Sequence, residues 1–338
     1  MKIGLTTHLN IRMNFSTYLL FCLSLIFFQS SCNQSHKAHK DAITKPLTQN
    51  SQYIFSIGDA SVTLLYKLQR QIASTSYDSL QLRKMVIDRI YVPNERLFSY
   101  CLGYDQNSFA DKYSNALKQR SDSLIQLTKT FEKINLDSTI INTMKKIAEK
   151  SVIKFEGKYV IGFFEDAGCI MCGCDNATML GNTYNSYYKN PNLLKVVIAH
   201  EINHNFFETA KKADPDNNTL LYNAIDEGFA NLFSMKMMDV DKFTAFNMTK
   251  DEYNWLENNE AELKEKFRKV IFSTKEEDWN PYSEKIPNRI LEGSPGDIGY
   301  FLGYRIIEEW LKKNDGKKWE DVYSTPVRHI LRESEYFK

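Results

Sequence analysis

Neither sign of charge dominates this sequence: 43 Lys and Arg stand against 42 Asp and Glu, a formal net charge of +1. No dense Lys/Arg run occurs either, so the basic face that nucleic-acid binders present is missing and nucleic acid is not expected as a partner. Internal repeats at solenoid periods are absent. The apolar run from Tyr18 to Phe28 is too short to cross a bilayer, which takes about 20 residues. Histidine is scarce, with six in 338 residues. What the chain does have is apolar and aromatic material, 43% and 13% of its residues, enough for a substantial globular core. Its length fits one large domain or two small ones.

The N-terminus reads as an export signal. Lys2, His8 and Arg12 form a basic leader, Tyr18 to Phe28 an apolar stretch, and Gln29-Ser30-Ser31 a small-residue approach to Cys32. That pattern is the one a signal peptidase cuts. A Cys directly after the small residues resembles a bacterial lipoprotein signal, which implies residues 1–31 as the leader and Cys32 as the lipidated N-terminus. An ordinary secretory signal with an incidental Cys is the other reading. Asn33, rather than Asp, follows Cys32; by analogy with known lipoproteins this implies a lipid-anchored place in the cell envelope, at the outer membrane. Residues 33–52 are polar without a hydrophobic period and read as a tether. Residues 53–338 form the folded domain.

Within that domain apolar residues recur at helical spacing over 58–72, 78–91, 107–133, 137–150, 191–209, 220–238, 249–272, 297–313 and 319–332. Ser151 to Phe164 is β-branched and aromatic with Glu156-Gly157 at its centre, and predicts a hairpin. A further strand is expected through Ala177 to Leu180. The expected class is α+β, mainly α-helical, with a small β-sheet in a single domain.

The strongest chemical signal is His200-Glu201-Ile202-Asn203-His204, led in by the apolar stretch Leu193 to Ala199. Residues four apart on a helix share a face, so His200 and His204 can offer imidazole nitrogens to one cation. Glu201 adjoins that face as a carboxylate base, as a water-activating zinc site requires. In an apolar helix such groups are costly unless paired or metal-bound; a hydrogen-bonded pair of core histidines is the bland alternative. Catalytic zinc takes a third protein ligand. The segment Asn223 to Asn231 contains Asp226-Glu227-Gly228, and Glu227 is the choice, with Asp226 and Glu208 as rivals. Gly228 would let its helix approach the His200 helix closely, and Asn231 would accept a bond from a ligand histidine.

A His-Glu-x-x-His helix followed some twenty residues later by Glu-Gly-x-Ala resembles the gluzincin branch of zinc metallopeptidases. Together with Pro295-Gly296-Asp297-Ile298-Gly299-Tyr300-Phe301-Leu302-Gly303-Tyr304, the chain is similar to a family of predicted zinc-dependent proteases of unknown function, related to a gliding-motility lipoprotein. The resemblance implies a zincin-like fold around the motif helix, Zn2+ held by His200, His204 and Glu227, and Glu201 as base. A tetrahedral oxyanion would need another donor. Tyr300 and Tyr304 are candidates, although Gly299 and Gly303 equally suit a close helix seam with core tyrosines beside it. The strand near Ala177–Leu180 is a candidate edge to pair with an extended peptide.

Cys169, Cys172 and Cys174 cluster, and Cys101 lies apart. Export to an oxidising compartment favours disulfides, with Cys101 bridged to one cluster member, over a four-cysteine metal site. Three functions compete at this point: a membrane-anchored zinc endopeptidase acting on a peptide or protein substrate, a catalytically silent scaffold of the same fold in an envelope or motility assembly, and a metal sensor or carrier.

Overall fold

The computed structural model describes residues 53–163, 171–174, 177–181, 190–283 and 286–338. The leader, Cys32, the tether and Cys169 lie outside them. Tyr53–Lys338 pack as one unit, and no helix among the described residues is long and apolar enough to cross a membrane.

A five-stranded mixed sheet organises this unit. Strands β1 (Ile54–Ile57) and β2 (Asp59–Leu64) pair antiparallel, and β3 (Glu156–Gly162) lies parallel to β2. Strand β5 (Ala177–Gly181) is parallel to β3, and β4 (Met171–Cys174) closes the far edge antiparallel to β5. The order is β1-β2-β3-β5-β4.

Two expectations fail in this sheet. Residues 59–64, the start of an expected helix over 58–72, form β2, because Ala60, Val62 and Leu64 are buried at a period of two. Positive φ at Gly58 (57°) makes the preceding turn. The Ser151 to Phe164 hairpin is instead a single central strand, β3. It is buried on both faces, which produces an unbroken apolar run rather than alternation. Val160 belongs to one hydrophobic core, while Tyr159 and Ile161 belong to another.

The first core packs α1 (Leu65–Ala73), α2 (Ser79–Val86) and α3 (Gln106–Gln119) on one face of the sheet. Larger in extent, the second takes most of α4 (Ser121–Lys133), α5 (Leu136–Lys150), α6 (Pro191–Ala210) and α7 (Leu220–Met238), with α8 (Lys242–Ala245), α9 (Lys250–Asn258), α10 (Glu260–Arg268), α11 (Glu276–Ser283), α12 (Ile298–Lys313) and α13 (Val327–Ser334). Long periodic stretches break where caps intervene: at Arg120, at Asn259, and at Thr325-Pro326. Helix α11 was not expected.

Helices α7 and α12 touch backbone to backbone. A Cβ on Gly303 would lie 1.7 Å from the Ala224 carbonyl oxygen, and one on Gly228 would lie 2.1 Å from the Tyr304 nitrogen. Gly228 therefore opens a path to α12 and not, as its sequence position suggested, to the His200 helix. No rotamer relieves a clash with backbone, so Gly303→Ala is expected to cost about 3 kcal/mol. Denaturant unfolding would read this as a lowered midpoint at unchanged slope.

Candidate metal centre

Helix α6 begins at Asn190, whose side chain accepts from the amides of Asn192 and Leu193, with Pro191 in the first turn. Helix α7 begins at Thr219, which accepts from Tyr222, and ends at Asp239 in the left-handed region. The two run antiparallel in close contact. Ser234 Oγ donates to the Val196 carbonyl at 3.1 Å at one end, and the rings of Phe207 and Tyr222 meet at 5.1 Å at the other. His200, His204, Asp226, Glu227 and Asn231 fall between these contacts.

The two histidines turn the same nitrogen toward one carboxylate oxygen. His200 Nε2 lies 3.2 Å and His204 Nε2 3.4 Å from Glu227 Oε2, and one ligand atom from each residue lies within 4.8 Å of the others. The opposite nitrogens are held from behind. Asn231 Oδ1 sits 3.1 Å from His200 Nδ1, and Asp226 Oδ1 2.9 Å from His204 Nδ1.

Whether these residues suit zinc can be tested on their geometry. Ligands about 2.0–2.1 Å from a tetrahedral zinc sit roughly 3.3 Å apart, close to the two separations to Glu227. The protonation pattern agrees. His204 faces a carboxylate at each ring nitrogen, and carboxylates only accept, so without a cation the ring must carry both protons and a buried charge. A cation held by His204 and Glu227 would remove that requirement, leaving a neutral imidazole free to donate from Nδ1 to Asp226. The donor set, two imidazoles and one carboxylate, is that of catalytic zinc sites.

The electrostatics of the site follow from the same contacts. Burial opposes charge on His204, but Asp226 and Glu227 outweigh it and raise its pKa well above the ordinary 6.5. Burial likewise opposes charge on Glu227, yet the imidazoles of His204 and His200 hold its carboxyl far below the ordinary 4.5. Burial pushes the Glu201 carboxyl up, with His200 and His204 only partly offsetting it. His204 thus contributes stability that is present below about pH 6.5 and lost as pH rises through its raised folded value. Glu227 contributes stability that is present above pH 4.5 and lost as pH falls through its depressed folded value. Zinc held here would have to expel the His204 proton, so any rise in Tm on adding zinc is expected to be larger at pH 8 than at pH 6. Equal rises would contradict it.

Tyr300 reaches this centre and Tyr304 does not. The Tyr300 ring stacks on His200 with centroids 6.0 Å apart and planes 12° apart. Its hydroxyl pairs with Glu227, and its pKa is raised well above 10.0 by burial and then by Glu227, Asp297 and Glu201. Tyr304 donates to Glu308 Oε1 at 3.1 Å instead. Glu208 is exposed and stands outside the cluster. Asp226, a rival ligand in the sequence, sits behind His204. Asn203, inside the motif, is fully buried and its Oδ1 accepts from Tyr323 at 2.6 Å, a partner 120 residues away that no local pattern signals.

Strand β5 is not an edge, since β3 and β4 flank it; β4 is the edge on that side. Cys174 on β4 is bridged to Cys101, which takes two thiols out of any four-cysteine metal site. Nothing is described for the side chain of Cys172.

The family described as gliding motility protein GldB matches residues 94–338, a span that contains α6, α7, α12 and the whole cluster. No curated protein matches the chain, and no solved structure does. A match over most of the sequence establishes kinship: this chain belongs to the GldB family of gliding-motility lipoproteins.

Proposed function

We propose that this protein is a cell-envelope lipoprotein of a gliding-motility assembly, and that it carries one zinc ion in a site built to hydrolyse a peptide bond. The observation that carries the zinc reading is the convergence of His200 Nε2, His204 Nε2 and Glu227 Oε2, with both Nδ1 atoms held from behind. The envelope and motility role is supported by the family match. Lipidation at Cys32 and sorting to the outer membrane rest on the leader pattern and on Asn33.

His200, His204 and Glu227 would hold the ion, with Asn231 and Asp226 fixing the imidazoles. Zinc bound there supplies Lewis acidity, acidifying water and polarising a carbonyl. Glu201, its pKa raised by burial, takes a proton at a carboxylate oxygen and delivers it to the leaving amine. Burial makes it a stronger proton acceptor than a free carboxylate, as a general base requires. Tyr300 keeps its hydroxyl proton at neutral pH because its pKa is raised, so it can donate a hydrogen bond to a developing oxyanion.

A second reading has its own support: a catalytically silent scaffold of the motility assembly, with zinc purely structural or absent. The family match backs this one better, because the family's description names motility and no peptidase. Complementation of a deletion strain separates the two. Hydrolysis predicts that Glu201→Gln and His204→Ala both abolish function. If Glu201→Gln restores motility while His204→Ala does not, the scaffold reading replaces the hydrolytic one.

A further inference from the structure

From Ser79 to Cys101 the chain winds as one helical run. Helix α2 passes into wide π turns at Ile87–Tyr91, a tight turn at Val92–Asn94, and further π turns at Arg96–Cys101. The inner face (Leu82, Val86, Ile90, Leu97 and Phe98) is buried in the first core. The outer face advances in steps of four: Leu80, Lys84, Asp88, Val92, Arg96 and Tyr100, all exposed. The exposed residues repeat at the same four-residue interval as the buried Leu82, Val86, Ile90, Asn94 and Phe98, which keeps them on the outer side of the run.

This stripe is unusual in what it exposes. Leu80, Val92 and Tyr100 are 78%, 52% and 68% accessible. Exposed apolar residues scattered singly are ordinary, but these three alternate with charges along one line. Lys84 pairs with Asp88, and the Arg96 guanidinium lies 5.5 Å from the Tyr100 ring centroid. Across the run Arg83, Lys84, Arg89 and Arg96 outnumber Asp88 and Glu95, with Arg83 paired to Asp111 on α3 and Lys84 to Asp88. Aliphatic and aromatic tips interspersed with Arg and Lys are the composition of a surface that lies in a headgroup region.

Where the chain leaves this unit identifies the occupant. Tyr53, the first described residue, packs against the same core as the inner face of the helical run. The N-terminal segment of a lipoprotein thus joins the domain at the layer that carries the stripe. We infer that the Leu80–Tyr100 stripe is a second membrane contact, laid on anionic phospholipid headgroups when the lipid anchor holds the protein at a bilayer. The inference rests on the lipoprotein character of the family and is independent of zinc and of hydrolysis.

The test uses the full lipid-modified protein in vesicles of phosphatidylcholine with phosphatidylglycerol carrying a photo-crosslinkable acyl chain. Crosslinks are expected to concentrate at residues 80–100, and to fall at least fivefold when Leu80, Val92 and Tyr100 are all replaced by serine. Vesicles lacking phosphatidylglycerol, with the probe on phosphatidylcholine, should give fewer. Because all three side chains are exposed, the variant is expected to keep the wild-type Tm; the wild-type map decides the matter even if it does not. Crosslinks spread over other surfaces, or a yield unchanged by the triple substitution, would overturn the inference. Capture of a second protein at the stripe in place of lipid would also overturn it.

Discussion

His204→Ala is expected to abolish the zinc binding proposed for this site. Zinc held by protein side chains is bound by about 10 kcal/mol or more. If three ligands share that energy, losing one costs roughly 3 kcal/mol, more than a hundredfold in affinity. The substitution has a second cost. Asp226 is 4% exposed, and its contact with His204 at 2.9 Å disappears with the ring. Losing one hydrogen-bond partner of a buried carboxylate costs about 1–3 kcal/mol, so the variant should be destabilised as well as metal-poor. Metal analysis after gel filtration and thermal unfolding read the two effects separately. A variant that kept one equivalent of zinc would show that the ion sits elsewhere.

Glu201→Gln separates binding from chemistry. Glu201 is not in the group whose ligand atoms converge, so its amide replacement should leave zinc content unchanged. If the site hydrolyses peptides, loss of the general base should lower kcat by roughly 10²–10⁴-fold with little change in KM. Assays need a peptide library, since the geometry identifies groups that act on an amide and not the side chains that flank it. Activity retained by Glu201→Gln, with zinc in place, would remove the proposed base and with it the hydrolytic reading.

The parts of this architecture legible in the sequence are those whose signal is local. Four-residue spacing placed His200 and His204 on one helix face, and the apolar stretches around Glu227 and Tyr300 marked helices that the structure contains at Leu220–Met238 and Ile298–Lys313. Cys101 and the cysteine cluster suggested a bridge, which falls on Cys174. What stayed hidden depends on distant partners. Strand β3 reads as a hairpin because a strand buried on both faces loses its alternation, and its partners, β2 and β5, are remote in the chain. Gly228 looked like a contact for the nearest functional helix, but the backbone it meets is at Gly303 and Tyr304. Asp226 and Glu227 are adjacent carboxylates of the same chemistry. Only helix phase decides that one faces both Nε2 atoms and the other stands behind His204 Nδ1.

Two imidazoles and a distant carboxylate are proposed to share one zinc ion. X-ray absorption at the zinc edge, on the protein purified without added chelator, tests that arrangement most directly. One equivalent of zinc with two imidazole nitrogens and carboxylate oxygen at about 2.0–2.2 Å is the expected spectrum, reduced to background by His204→Ala. A first shell containing sulfur, or a wild-type protein that retains no zinc, would contradict it.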